Sequence, residues 1–328
     1  MNVRTGGRVA LGLVVSAVAC LLLARSVDLS AAATRLSSVQ PVWLLLPLLV
    51  LALQLLVRAR RWALLLAAAA GTEVRTGQVI GPLAVGYLAN GVLPARVGEV
   101  VRAVLVARRE HVAIAAVAAS VVVERVVDLA ALLVIGLAST GSVGVGAIGV
   151  VAIAGAAALV GGLGVLALSA GSLAARMPRR LPARVRMPTV QFLESIGGVG
   201  IRAAVGSFAL SLLAWMGDVT VVWACAQALG VHLPFAAVVP IAVGAALGTA
   251  LPAASGYLGT YELGAVTFGT MTGTAPDTVL SIALLAHVLA VVPVACAGLV
   301  AALRMGVKLE MPTLDRQEAA ASGAPADS

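Results

Sequence analysis

Long apolar runs, rather than an alternation of apolar and polar residues, dominate this chain. Six of them, approximately Val9–Ala24, Pro41–Val57, Val112–Ala138, Val143–Ser169, Ile201–Leu229 and Val279–Leu303, approach or exceed the length of a bilayer span, about 20 apolar residues as a helix. Two more, Gln78–Ala107 and Phe235–Thr272, are interrupted by Pro and Gly. The runs are continuous and rich in Ala, Leu and Val, unlike the short alternating strands of a transmembrane barrel. The pattern predicts an all-α, polytopic membrane helix bundle with about six full spans and two re-entrant broken-helix segments. It forms a single transmembrane domain over residues 1–303, and the short cytoplasmic tail 304–328 is polar, Ala-rich and expected to be disordered.

Arg4 and Arg8 precede the first run, and Ala31-Ala32-Ala33 follows it. A cleaved signal peptide has such flanks, but this run is long for one and further spans follow, so it reads as an uncleaved first helix.

Composition supports a lipid solvent. Of 328 residues, 61% are hydrophobic and 11% charged, where a soluble domain carries about 25% charged residues. The net charge of +8 does not point to nucleic acid, because the arginines sit between apolar runs. There they orient a membrane protein. Arg4 and Arg8 precede the first span; Arg58, Arg60, Arg61 and Arg75 follow the second; Arg176, Arg179, Arg180, Arg184 and Arg186 follow the fourth; Arg304 and Lys308 follow the last. These clusters share one face if each interrupted segment enters and leaves by the same side. Both termini are then expected in the cytoplasm, the first interrupted segment dipping in from that face and the second from outside. The stretch from Arg176 to Arg202 reads as a basic cytoplasmic loop that also suits anionic headgroups.

The interrupted segments contain an internal repeat. Leu93-Pro94-Ala95 returns 158 positions later as Leu251-Pro252-Ala253, and eight of 17 positions match between Pro82–Gly98 and Pro240–Gly256. With opposite entry faces this is an inverted repeat of broken helices, a transporter design. The alternative is two proline kinks in ordinary spans. Helix breaks persist in lipid only where protein or water satisfies the freed backbone groups.

Charges within apolar spans are costly and usually functional. The first break reads Asn90-Gly91-Val92-Leu93-Pro94-Ala95-Arg96-Val97-Gly98-Glu99, then Arg102. Arg96, Glu99 and Arg102 are spaced for neighbours to pair on one helix face. The third span carries Glu124, Arg125 and Asp128. Glu124 and Asp128 lie one turn apart and repel unless a cation or proton intervenes; Arg125, with Arg96 or Arg102, can supply that charge. Two readings stay open for this set: a polar cavity or proton-linked carboxylate, and a buried ion-pair lock between helices. The second break continues through Gly256, Gly259, Tyr261 and Glu262. The glycines permit positive φ or close approach, and Glu262 at a restarted helix complements its dipole and caps it. Asp218 reads as the partner of a nearby arginine rather than a coupling site, and His287 as a satisfied packing residue.

Cys20, Cys225 and Cys296 all fall in apolar runs, an odd buried set that suggests neither disulfides nor metal. No metal site, cofactor or catalytic constellation is expected. There is no Asp-x-Asp and no phosphate-binding Gly-x-x-x-x-Gly-Lys-[Ser/Thr].

The ordered set Asn90, Leu93-Pro94-Ala95-Arg96, Gly98-Glu99, Arg102, Glu124-Arg125, Asp128, Leu251-Pro252, Gly256, Gly259 and Tyr261-Glu262, with Arg61-Trp62, resembles the lysylphosphatidylglycerol synthase transmembrane-region family of flippase-like membrane proteins. The likeness runs from about Ala10 to Leu303. In two-part members this region is similar to a lipid translocator, and a separate soluble domain attaches the amino acid. The resemblance implies the translocating part and not the synthetase. It makes membrane lipids with anionic or lipid-linked headgroups the expected partners, and Asn90, Pro94, Arg96, Glu99, Arg102, Glu124, Arg125, Asp128, Pro252, Gly256, Gly259, Tyr261 and Glu262 the candidate substrate-binding residues. A non-enzymatic translocator in the cytoplasmic membrane is the leading expectation. The alternatives are an integral-membrane transferase acting on a lipid-linked substrate and a non-catalytic assembly partner.

Overall fold

A computed structural model describes residues 3–93, 97–139, 147–178, 182–251 and 253–307. The candidate residues Pro94, Arg96 and Pro252, and the tail expected to be disordered, lie outside the described residues. Among the described residues every regular element is helical, and there is no strand. The helices are α1 (Val3–Ser26), α2 (Leu29–Ser37), α3 (Leu45–Ala70), α4 (Thr76–Val92), α5 (Val97–Arg109), α6 (Ile114–Ser139), α7 (Ala147–Ala175), α8 (Ala183–Gly198), α9 (Gly200–Ala228), α10 (Phe235–Gly248), α11 (Thr260–Gly269) and α12 (Pro276–Arg304).

Three helical stretches are long and apolar enough to cross a membrane: Pro41–Ala70, Gly200–Ala228 and Pro276–Arg304. A fourth candidate is the bent pair α1–α2, turned by 89°, where the Asp28 carboxylate caps the amides of Ser30 and Ala31. Exposed leucines and valines such as Leu13, Val14, Leu49, Leu53, Val205 and Leu213 give the outer surface the apolar character that lipid requires.

Two boundaries differ from the sequence reading. The second span does not stop at Val57. Trp62 to Ala70 is apolar, the helix continues, and Gly71 ends it in a left-handed conformation, φ 64°. Arg58 and Arg61 therefore lie inside α3 and do not mark a flanking loop. The basic stretch after Arg176 also contains a helix, α8, because Leu193 and Ile196 recur at helical spacing and pack on Ala119, Ala170 and Ala174.

α3 and α9 form the central pair and run antiparallel. Gln54 Nε2 donates to the Ala214 carbonyl at 2.6 Å, Arg58 meets Asp218, and near the other end Leu65 and Ala69 pack on Val199 and Ala203. At the start of α3, the Gln40 amide donates to the Ala228 carbonyl at the close of α9.

Each interrupted segment is a helical hairpin. Gln78 Nε2 and the Glu110 carboxylate join the feet of the α4–α5 hairpin. Its arms close at Gly86 and Gly98: a Cβ on Gly86 would lie 2.9 Å from the Gly98 carbonyl oxygen. The α10–α11 hairpin closes at Gly244 and Gly264, where a Cβ on Gly244 would meet Phe268 Cβ at 2.7 Å. Small residues at such crossings let helices approach closely in lipid. Hairpin α4–α5 follows the end of α3 and hairpin α10–α11 follows the end of α9. Since α3 and α9 are antiparallel, the hairpins enter from opposite ends of the bundle, and their tips meet. A Cβ on Gly256 would lie 3.6 Å from the Gly91 carbonyl oxygen.

Candidate functional site

Three helices each present a polar stripe, because residues four and then three apart share a helix face. On α3 these are Gln54, Arg58 and Arg61; on α9, Ser211, Trp215 and Asp218; on α6, Ser120, Glu124 and Asp128 at four-residue steps. Hairpin α4–α5 adds Glu99 and Arg102. The stripes converge on a cavity of about 270 Å³, just below the roughly 300–1,000 Å³ usual for small-molecule sites. It lies between the two hairpins and α3, α6, α9 and α12.

On the most buried side of the cavity the charges are locked. Arg61, 1% exposed, donates to Glu124 Oε1 at 2.7 Å, to both oxygens of Asp128 (3.2 Å to Oδ2), and to Ser211 Oγ at 2.8 Å. The Ser211 hydroxyl donates in turn to Asp128. Arg102 reaches the other Glu124 oxygen at 3.0 Å and lies 4.6 Å from the centroid of Trp62. The Trp62 indole, fully buried, donates to Ser120. Two carboxylates one turn apart are thus neutralised by guanidinium groups from α3 and α5.

Two further ion pairs face the cavity. Arg125 bonds Glu99 at 2.9 Å and is 4.0 Å from Asp128. Arg58 bonds Asp218 at 2.6 Å, with its guanidinium 5.7 Å from the Trp215 ring. The Nε–H of Arg61 and the indole N–H of Trp215, both on cavity-lining residues, have no hydrogen-bond partner.

The break residues serve partly to satisfy backbone. Asn90 Oδ1 accepts the Gly98 amide at 2.8 Å across the first break. At the second, the chain turns through left-handed residues Gly256, Tyr257 and Gly259, with φ of 68°, 60° and 83°. Ser16 of α1 accepts the Ala254 amide, and Glu262 Oε2 accepts the Gly259 amide at 2.8 Å. His287 on α12 joins these parts. Its Nδ1 lies 2.6 Å from Glu262 Oε1, its Nε2 lies 2.7 Å from the Gly256 carbonyl, and Tyr261 stacks on its ring at 4.3 Å. Both ring nitrogens face oxygens.

Of the candidate residues, Asn90, Glu99, Glu124, Arg125, Asp128, Gly256 and Tyr261 line the cavity. Arg102, Gly259 and Glu262 stand behind its wall. Glu99 and Arg102 do not pair with each other along α5; each reaches across to α6, Arg102 to the buried Glu124 and Glu99 to the more exposed Arg125. Asp218 pairs with an arginine, as its sequence reading expected. Arg58 and Arg61 were missed as site residues because their charge was read as the end of a span. Their spacing from Gln54, and the apolar run resuming at Trp62, were the available signals. Among the described residues no three His, Cys, Asp or Glu side chains cluster as a metal site would require.

The family model for the lysylphosphatidylglycerol synthase TM region matches residues 9–298. A curated relative from Haloferax volcanii, named Glycosyltransferase AglD, is 29% identical across 66% of this chain. The chain spans about two fifths of that relative's length, with 42% of it covered.

Proposed function

The chain belongs to the lysylphosphatidylglycerol synthase TM region family, and from that premise we propose that it moves the polar headgroup of a membrane lipid, or of a lipid-linked saccharide, across the cytoplasmic membrane. One observation carries this reading: a charged cavity enclosed between two broken-helix hairpins whose tips meet. On this reading α1, α3, α6, α7, α9 and α12 are six full spans, the hairpins are re-entrant halves of an inverted repeat, and both termini are cytoplasmic. Substrate sites of such transporters lie at the repeat interface, where broken helices leave backbone groups to bind. The headgroup occupies the cavity while the acyl chains stay in lipid. The open choice between ion-pair lock and substrate site divides by position. Arg61, Arg102 and Glu124 hold helices together; Arg125–Glu99 and Arg58–Asp218 meet the headgroup, with Asn90, Asp128, Gly256 and Tyr261 shaping its surroundings. Pro94, Arg96 and Pro252 belong to the hairpin tips in sequence, Gly259 and Glu262 to the bracing of the second.

Proteoliposomes test the proposal. Purified protein should accelerate movement of at least one lipid from a panel that includes the native membrane extract. The absence of acceleration for every lipid would reject it. The name of the archaeal relative favours a second reading, a transferase acting on a lipid-linked sugar. Product formation from lipid-linked saccharide and sugar donor by the purified chain would establish it.

A further inference from the structure

We infer that α1 and α7 are alternating covers for the two hairpins, each leaving its hairpin as the other docks. The inference rests on the inverted-repeat reading and says which of two arrangements the structure holds. The halves run in one order: two helices (α1–α2 or α7–α8), a long helix (α3 or α9), a hairpin (α4–α5 or α10–α11) and a last long helix (α6 or α12). Several contacts between the halves come in matched pairs. α2 lies on α12 as α8 lies on α6, and α4 lies on α12 as α10 lies on α6.

The first helix of each half breaks the pattern. α1 packs on α11, the second arm of the opposite hairpin, whereas its counterpart α7 packs on α6 and α8, and α5 packs mainly on α4 and α6. The α1 contact is close. A Cβ on Gly12 would lie 2.7 Å from the Ala253 carbonyl oxygen, Ser16 Oγ accepts the Ala254 amide at 2.8 Å, and a Cβ on Gly259 would meet Cys20 Sγ at 2.8 Å. α7 carries small residues too, but a Cβ on Gly155, Gly161, Gly162 or Gly164 would meet nothing within 4 Å among the described residues. On α5, Val100 is 63% exposed, and Arg125, a cavity residue paired with the adjacent Glu99, keeps 44% of its side chain exposed. A glycine-lined helix and an uncovered hairpin arm are the two sides of the contact that α1 and α11 already make, and small residues are what allow such close approach in lipid. Exchanging the conformations of the two halves gives the second arrangement, with α7 on α5 and α1 off α11. The hairpin tips couple the covers, because they meet at Gly91 and Gly256 and a tip drawn toward its cover is drawn away from the other tip. The cavity opens sideways to lipid beside whichever hairpin is uncovered, here α4–α5.

The test is cysteine cross-linking of the full-length protein in membranes, in a background lacking Cys20, Cys225 and Cys296. Ser16→Cys with Ala254→Cys reads the α1 contact. Val100→Cys with Gly161→Cys or Gly164→Cys reads the α7 contact. Each pair alone should link under mild oxidation. A protein carrying both pairs should form one link or the other and never both in one molecule, read by mass spectrometry of the intact chain. Gly12→Leu, which overpacks α1 against Ala253, should raise the yield of the α7 link by about tenfold, and the milder Gly12→Ala should raise it less. Doubly linked molecules, no α7 link from either glycine position, or a yield that neither Gly12 variant changes would each overturn the inference. Lipid movement is measured separately, in proteoliposomes. The α1 link should stop it and reduction should restore it; movement at the unlinked rate through fully linked protein overturns the inference and leaves translocation standing. If no lipid moves with or without the link, the translocator reading falls alone, and the linkage pattern still decides whether α1 and α7 alternate.

Discussion

Replacing Arg61 by Met tests whether the buried charges hold the bundle together. Arg61 touches Glu124, Asp128 and Ser211, so it joins α3 to α6 and α9 in one side chain. Without it Glu124 keeps Arg102 at 3.0 Å, but Asp128 keeps only Ser211 and a 4.0 Å approach to Arg125. The loss therefore falls on Asp128. Removing one partner of a buried pair costs about 3–5 kcal/mol, a large fraction of the roughly 5–15 kcal/mol by which a typical protein is stable. Methionine fills much of the volume, so the cost reports charge rather than a cavity. The measurement is an unfolding titration with sodium dodecyl sulfate in mixed micelles, followed by tryptophan fluorescence, to which the neighbouring buried Trp62 contributes. Arg61→Met should lower stability by that amount. The double variant Arg61→Met/Asp128→Asn should recover about 0.5–3 kcal/mol relative to the sum of the single changes, the usual range for groups in contact. A single variant within about 1 kcal/mol of wild type, the scale of an exposed ion pair, or strict additivity in the double variant, would refute the reasoning.

Gly98→Ala places a methyl group 2.6 Å from Asn90 Oδ1, and Gly244→Ala places one 2.7 Å from Phe268 Cβ; each should cost about 1–3 kcal/mol by overpacking its hairpin, measured by the same titration. His287→Ala strips a partner from both Glu262 and the Gly256 carbonyl and should cost about 1–3 kcal/mol, with partial recovery in His287→Gln; an unchanged midpoint for Ala would show that the second hairpin does not depend on this brace. In a background lacking Cys20, Cys225 and Cys296, cysteines introduced at Thr72 and Thr274 should react with an impermeant reagent from opposite faces of a sealed vesicle. Reaction of both from one face would refute opposite entry of the hairpins.

The helical character was legible because lipid imposes it: the long apolar runs coincide with helices, although the second continues past Val57 to Ala70. The broken segments were legible from Pro and Gly, which cannot sit unnoticed in such runs. Arg61 was not legible as a central residue, because a charge after an apolar run looks like the run's end, and only the partners on α6 and α9 make its burial tolerable. Those partners lie 63 and 150 residues away for Glu124 and Ser211, and pairing over such separations follows from packing, not from local pattern. Glu262 was expected as a cap and does accept the Gly259 amide. His287 was expected to be satisfied, but its place between Glu262 and the Gly256 carbonyl depends on the tip's left-handed turn, which helical periodicity does not contain.

The distribution of partners over the chain also orders its biogenesis. Arg58 and Arg61 leave the ribosome inside α3 long before their counter-charges exist. An arginine at a helix centre costs roughly 2.5–3.5 kcal/mol to insert. At about 5–20 residues per second, the 63 residues separating Arg61 from Glu124 amount to several seconds of synthesis. Asp218, the partner of Arg58, comes 160 residues after it. Until Glu124 emerges both cations are unpaired, and Arg58 stays so until Asp218 emerges, so α3 must wait near the interface or in the insertion machinery until α6 and then α9 arrive. Chains cut short before Glu124 are accordingly expected to insert α3 poorly, which glycosylation mapping of truncated nascent chains would read. The ion pairs that close the finished site thus also fix the order in which its walls can enter the bilayer.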